Sequence, residues 1–121
     1  MEEDYKRWLK KATRDISTAK YNLKGNKYDA ASFYAQQATE KSLKAVQIKK
    51  LGKFTRTHDL LVLAESITAP KNIKEACASI TPFYTLTRYP DVEERISKKK
   101  VIEILNKSAE VLKWVKETIK Q

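Results

Sequence analysis

The chain has 121 residues, 41% of them hydrophobic and 33% charged, and its 25 lysines and arginines against 15 acids give a formal charge of +10. That is one domain, long enough to bury about two-thirds of its unfolded surface without disulfides or metal, and its charge favours polyanionic or phosphorylated partners. One cysteine excludes an internal disulfide, Cys77 with the single His58 cannot complete a structural zinc site, and two isolated glycines exclude Walker and dinucleotide-binding loops. No apolar run reaches the roughly 18 residues of a membrane span, and the start Met1-Glu2-Glu3-Asp4-Tyr5 has no signal-peptide pattern. The chain is therefore expected to be soluble, cytoplasmic and free of metal and cofactor.

In the first segment Tyr5, Leu9, Ala12, Ile16, Ala19 and Leu23 alternate steps of four and three, the seam of an amphipathic helix in a bundle, and Gly25 is expected at its C′ stop. The second helix is predicted from about Tyr28 to Leu51, with Tyr28, Ala31, Ala35, Ala38, Ser42 and Ala45 on a face small enough for close approach, and with Gly52 as its stop. Thr57 is the expected N-cap of a short third helix through Leu60, Leu61, Leu63 and Ala64. After Pro70 a fourth helix carries Ile73, Ala76, Cys77 and Ile80, and Pro82 must kink or restart it. The last helix runs through Val101, Leu105, Ala109, Leu112, Val115 and Ile119, starting either at an Asp91/Glu94 capping box or at Ser97. The Ser97 start would place Lys98, Lys99 and Lys100 against the positive end of the helix dipole, a conflict a bound anion would relieve. No β-alternation or linker interrupts this pattern, and nothing recurs at the 34-residue period of tetratricopeptide repeats. The expected architecture is an all-α, up-and-down four- to five-helix bundle spanning 1–121. The long helices, with Trp8 and Trp114, leave apolar surface that would suit a homodimer.

Four groupings bear on chemistry. Gln37, Glu40, Lys41 and Lys44 form a polar stripe on the second helix, either a ligand grip or a solvated face with a Glu40–Lys44 pair. Lys41, Lys44, Lys49, Lys50, Lys53 and Arg56 follow one another without an intervening acid, a basic end suited to phosphates or simply to solubility. His58 is able to donate to a phosphate, move a proton near neutral pH, or serve as a helix-start residue. The segment Tyr84-Thr85-Leu86-Thr87-Arg88-Tyr89-Pro90-Asp91 gathers an aromatic ring for stacking and a guanidinium for bidentate phosphate binding, or else a helix stop with an Arg88–Asp91 ion pair.

The run 28–45, YDAASFYAQQATEKSLKA, followed by Thr57-His58-Asp59-Leu60 and by Arg88-Tyr89-Pro90-Asp91, resembles the HEPN family, the higher eukaryotes and prokaryotes nucleotide-binding domain, over nearly the whole chain. The resemblance implies a helical bundle, usually dimeric, associated with nucleotides and often encoded beside a small nucleotidyltransferase in toxin–antitoxin or defence modules. It places Gln37, Glu40, Lys41, Lys44, His58, Arg88, Tyr89 and Asp91 at the motif positions. Many members are metal-independent ribonucleases in which an arginine is followed, after four to six intervening residues, by a histidine. Here Arg56 and His58 are separated by one residue and no histidine follows, so that motif is missing.

The leading expectation is a non-enzymatic bundle binding a nucleotide or RNA end, with Lys41, Lys44 and Arg88 on phosphate and His58 and Tyr89 shaping the site. The alternative is a dimeric interaction module, docked on a nucleotidyltransferase, whose motif residues are a structural polar network. A ribonuclease using His58 with Arg88 is the third reading.

Overall fold

The computed structural model describes residues 2–80 and 96–120, and within them the chain forms five helices and no strand. They are α1 (Glu2–Lys24), α2 (Tyr28–Leu51), α3 (Leu60–Ser66), α4 (Lys71–Ile80) and α5 (Lys98–Ile119). The α1 seam of Tyr5, Ala12, Ile16 and Ala19 is buried against α2, the most extensive helix contact of the bundle. Side-chain pairs run in opposite directions along these two helices, Tyr5 with Lys49 and Asp15 with Lys41, so they are antiparallel. On its other side α2 meets α5, and here the order is parallel, Thr39 with Ser108 and Lys49 with Ile119. Helix α4 returns against α5, with Asn72 bonded to Glu110. The result is the expected up-and-down all-α bundle, with short α3 joining α2 to α4.

Small residues decide how closely α2 and α5 approach. Ala31, Ala35 and Ala38 are fully buried, and the Ser108 hydroxyl donates across the gap to the Ala35 carbonyl at 2.9 Å while lying 2.7 Å from Thr39 Oγ1. Leu43, Leu60, Leu63, Ile73, Ile80, Val101, Val111 and Val115 fill the interior. Each such side chain contributes about 1.5–3 kcal/mol through removal from water.

Helix ends follow backbone chemistry, in places one or two residues from expectation. Gly52 stops α2 at φ 77°, its N–H donating to Ile48 O at 2.9 Å. At the end of α1 the left-handed residue is Asn26 at φ 59°, not Gly25, and the stop is a Schellman motif: Asn26 N–H donates to Leu23 O at 3.1 Å and Lys27 N–H to Asn22 O at 2.8 Å. Asparagine tolerates this conformation where most side chains do not. Asp59, rather than Thr57, caps α3, accepting from Leu61 N–H at 3.0 Å and Val62 N–H at 3.2 Å, while Thr57 Oγ1 accepts from Asp59 N–H at 3.1 Å. Ser97 is the cap of α5, accepting from Lys100 N–H at 3.2 Å, so Lys98–Lys100 do occupy the first turn. Lys100 offsets part of that charge through Glu103 at 3.4 Å. Pro82 and the Asp91/Glu94 pair lie outside the described residues.

Candidate functional site

Helix α2 is enclosed on most sides, and its polar residues had to find partners or be excluded from the interior. Gln36, Glu40, Lys44 and Gln47, spaced by four, four and three, lie on one stripe and are each no more than 5% exposed. They partner one another, Ser66 of α3, the Trp8 ring of α1 and the segment 52–59, which leaves α2 at Gly52 and runs back along that stripe before α3 reverses direction. Gln47 Oε1 accepts the Thr55 N–H at 3.0 Å, and its amide donates to Thr55 Oγ1 at 3.1 Å and Ser66 Oγ at 2.9 Å. One turn earlier, Lys44 lies 5.5 Å from the Phe54 ring centroid and 5.8 Å from that of Trp8, whose two rings pack on each other at 4.8 Å. A desolvated ammonium beside aromatic faces is attracted by their quadrupoles.

Glu40 is the hub. Its carboxylate accepts from Lys44 Nζ at 3.0 Å and pairs with His58 Nδ1 at 2.8 Å. Because the carboxylate accepts, it selects the imidazole form with the proton on Nδ1. Gln36 Nε2 makes long contacts, each 3.5 Å, to Glu40 Oε1 and the His58 carbonyl, and Gln37 donates to Gln36 Oε1 at 2.8 Å. The His58 side chain is 57% exposed, so the network runs from the interior to the surface through one ring.

Gln37, Glu40, Lys44 and His58 are thus brought together. Lys41 is not: it points to the other side of α2 and pairs with Asp15 of α1. Arg88, Tyr89 and Asp91 lie outside the described residues. Of the six basic residues between 41 and 58, Lys41 and Lys44 form ion pairs within the bundle, and Lys49 donates to the Ile119 carbonyl at 2.6 Å beside the Tyr5 ring. Lys50, Lys53 and Arg56 are exposed, with the Arg56 guanidinium 5.9 Å from Phe54. Gln36, Gln47, Asp15 and Phe54 were not singled out from the sequence. The two glutamines carried a signal, since with Glu40 and Lys44 they repeat at helical spacing on a helix otherwise rich in alanine.

Burial pushes the Cys77 thiol from its ordinary 9.0 up to about 12, which leaves it protonated and a poor nucleophile near neutral pH. Among the described residues no cluster of three or more histidine, cysteine or acidic side chains is assembled for a metal, and no helix is long and apolar enough to cross a membrane.

Comparison with solved structures gives close fold matches. TT1696 from Thermus thermophilus is 28% identical with a TM-score of 0.84, covering 93% of this chain and 96% of that one. ST0689, described as an archaeal HEPN homologue, is 30% identical with a TM-score of 0.80 over 95% of this chain and 97% of its own. A HEPN domain protein of Thermotoga maritima, tm0613, shares the fold at 16% identity, with a TM-score of 0.75 over 95% and 98% of the two chains. No curated protein sequence matches. The family model for the HEPN domain matches residues 5–118, and the chain belongs to the HEPN domain family.

Proposed function

We propose that the protein binds a nucleotide or RNA through its phosphates, without cleaving it, at the end of the bundle where the segment 52–59 lies on α2. The observation that carries this reading is the division of labour among the cations. Lys44, Glu40 and Gln47 hold the segment in place, and the segment presents Lys53, Arg56 and His58 outward beside exposed Lys50. In this reading Lys44 positions the site from inside the bundle, Lys41 serves the α1–α2 contact through Asp15, Arg88 is the phosphate-binding arginine, and Tyr89 and Asp91 complete the motif. Absence of the Arg-x4–6-His spacing supports a binding role over ribonuclease action. A homodimer and a small nucleotidyltransferase partner, as in toxin–antitoxin modules, belong to the same proposal on the strength of the family resemblance.

A second reading, an interaction module with a structural network, is favoured by the ion pairs that engage Lys41 and Lys44 internally. Calorimetric titration with ATP and with a short single-stranded RNA, at physiological and raised salt, separates the two. Saturable binding that survives moderate salt and falls roughly tenfold or more in folded Arg88→Ala supports the phosphate site. Absence of binding to both ligands sinks it in favour of the interaction module.

A further inference from the structure

The outer face of α1 carries a second periodic pattern, opposite the buried seam. Arg7, Lys10, Arg14, Ser17, Tyr21 and Lys24 alternate steps of three and four, so they stand in one row, and all six are exposed. At 1.5 Å per residue the row is about 25 Å long. Its cations make no ion pair among the described residues, and the one acid in this stretch of α1, Asp15, is turned to Lys41. Tyr21, at 79%, is the most exposed large hydrophobic side chain among the described residues. The Arg7 end of the row lies beside the segment 52–59: Trp8, the next residue, packs on Phe54 at 4.8 Å, and the Arg56 guanidinium lies 5.9 Å from that same ring. Because α1 and α2 are antiparallel, the row then leads away from the segment toward the opposite end of the bundle.

We infer that a single-stranded RNA lies along this face, its phosphates on Arg7, Lys10, Arg14 and Lys24 and one base stacked on Tyr21. The inference rests on the phosphate-binding reading and names its ligand as a polynucleotide rather than a mononucleotide, since the row offers room for roughly four nucleotides, the low end of single-strand sites. Evenly spaced cations that end at a ring held in water match a charged backbone with an unpaired base. A duplex keeps its bases stacked on one another and offers no face to Tyr21. An anionic membrane or an acidic helix would need an apolar strip to cover, and the row holds no aliphatic side chain.

The test measures binding of labelled oligouridylates, from dinucleotide to octanucleotide, by fluorescence anisotropy, with ATP titrated in parallel. At physiological salt the affinity should rise by roughly tenfold or more between the dinucleotide and the octanucleotide. Lys10→Gln with Arg14→Gln should weaken octanucleotide binding and lower the slope of log K against log salt by about 1 to 1.5, because each phosphate contact of a single strand contributes about 0.7. Tyr21→Ser should weaken it about fivefold or more with the slope unchanged, as expected for one lost stack. ATP, too short to reach from the segment 52–59 to Tyr21, should bind Tyr21→Ser as it binds the unaltered protein. ATP binding with no dependence on oligonucleotide length, or an octanucleotide affinity that neither variant changes, overturns the inference and leaves the phosphate site standing. Equal affinity for a fully paired RNA duplex assigns the row to general attraction of charge and also overturns it. Absence of binding to ATP and to every oligonucleotide removes the phosphate site and this inference together. Octanucleotide binding that is lost in Tyr21→Ser while ATP fails to bind supports the row and excludes the mononucleotide as ligand.

Discussion

Two lysine-bearing stripes in this bundle use the same residue type in opposite ways. On α2, Lys44 is 5% exposed, paired with Glu40 and set beside Trp8 and Phe54, and its neighbours Gln36 and Gln47 are buried amides with specific partners. On α5, Lys113 and Lys116, with Lys120 at its C-cap, are exposed and make no ion pair among the described residues. The first stripe spends its charge inside the protein, fixing where the chain goes after α2. The second leaves its charge in solvent. A lysine's contribution therefore follows from what desolvates it and what faces it, and a net charge of +10 overstates the cation that is free to bind.

That contrast can be broken first at Glu40. Its replacement by alanine strands the buried Lys44 ammonium and should cost about 3–5 kcal/mol in urea unfolding. A loss below about 1 kcal/mol would mean that Lys44 reaches water and that the stripe is not the anchor described. Gln47→Ala comes next: it removes the partners of Thr55 and Ser66 and should cost about 1–3 kcal/mol, with faster hydrogen exchange at the Thr55 amide as its signature. Loss of the α3 cap in Asp59→Ala should lower stability by about 1 kcal/mol, and Thr57→Ala by less; the reverse order in thermal denaturation would restore Thr57 as the cap. The smallest effect belongs to the second stripe. Lys113→Glu with Lys116→Glu should change folding stability in urea unfolding by no more than about 0.5 kcal/mol, and a large destabilisation would show that these lysines also serve the fold.

The helical periods were legible because they are written within a few residues: the alternating seams of α1 and α5, the alanine-rich face of α2, and Gly52 as a left-handed stop. Stops and caps shifted where two residues competed for one role. Asn26 took the positive φ next to Gly25, and Asp59 took the α3 cap from Thr57 because its carboxylate meets two orphan N–H groups at once. Glu40 and Lys44 were visible as part of a helix stripe and His58 as a separate lone histidine, joined only by the family resemblance, whereas Gln36 and Gln47 were not visible, since an amide on a helix looks like surface until a neighbouring segment covers it. Arg88, Tyr89 and Asp91 rest on resemblance.

The sequence by itself determined an all-α bundle, its approximate helix boundaries and the family to which it belongs, since periodicity and local motifs survive in the unfolded text. Only the tertiary structure decided which cations are engaged. Glu40 meets His58 across 18 residues, Asp15 meets Lys41 across 26, and Lys49 meets the Ile119 carbonyl across 70. Such pairings depend on where chain reversals place distant segments and on how much water they exclude, and neither quantity is encoded in the spacing of neighbours along the chain.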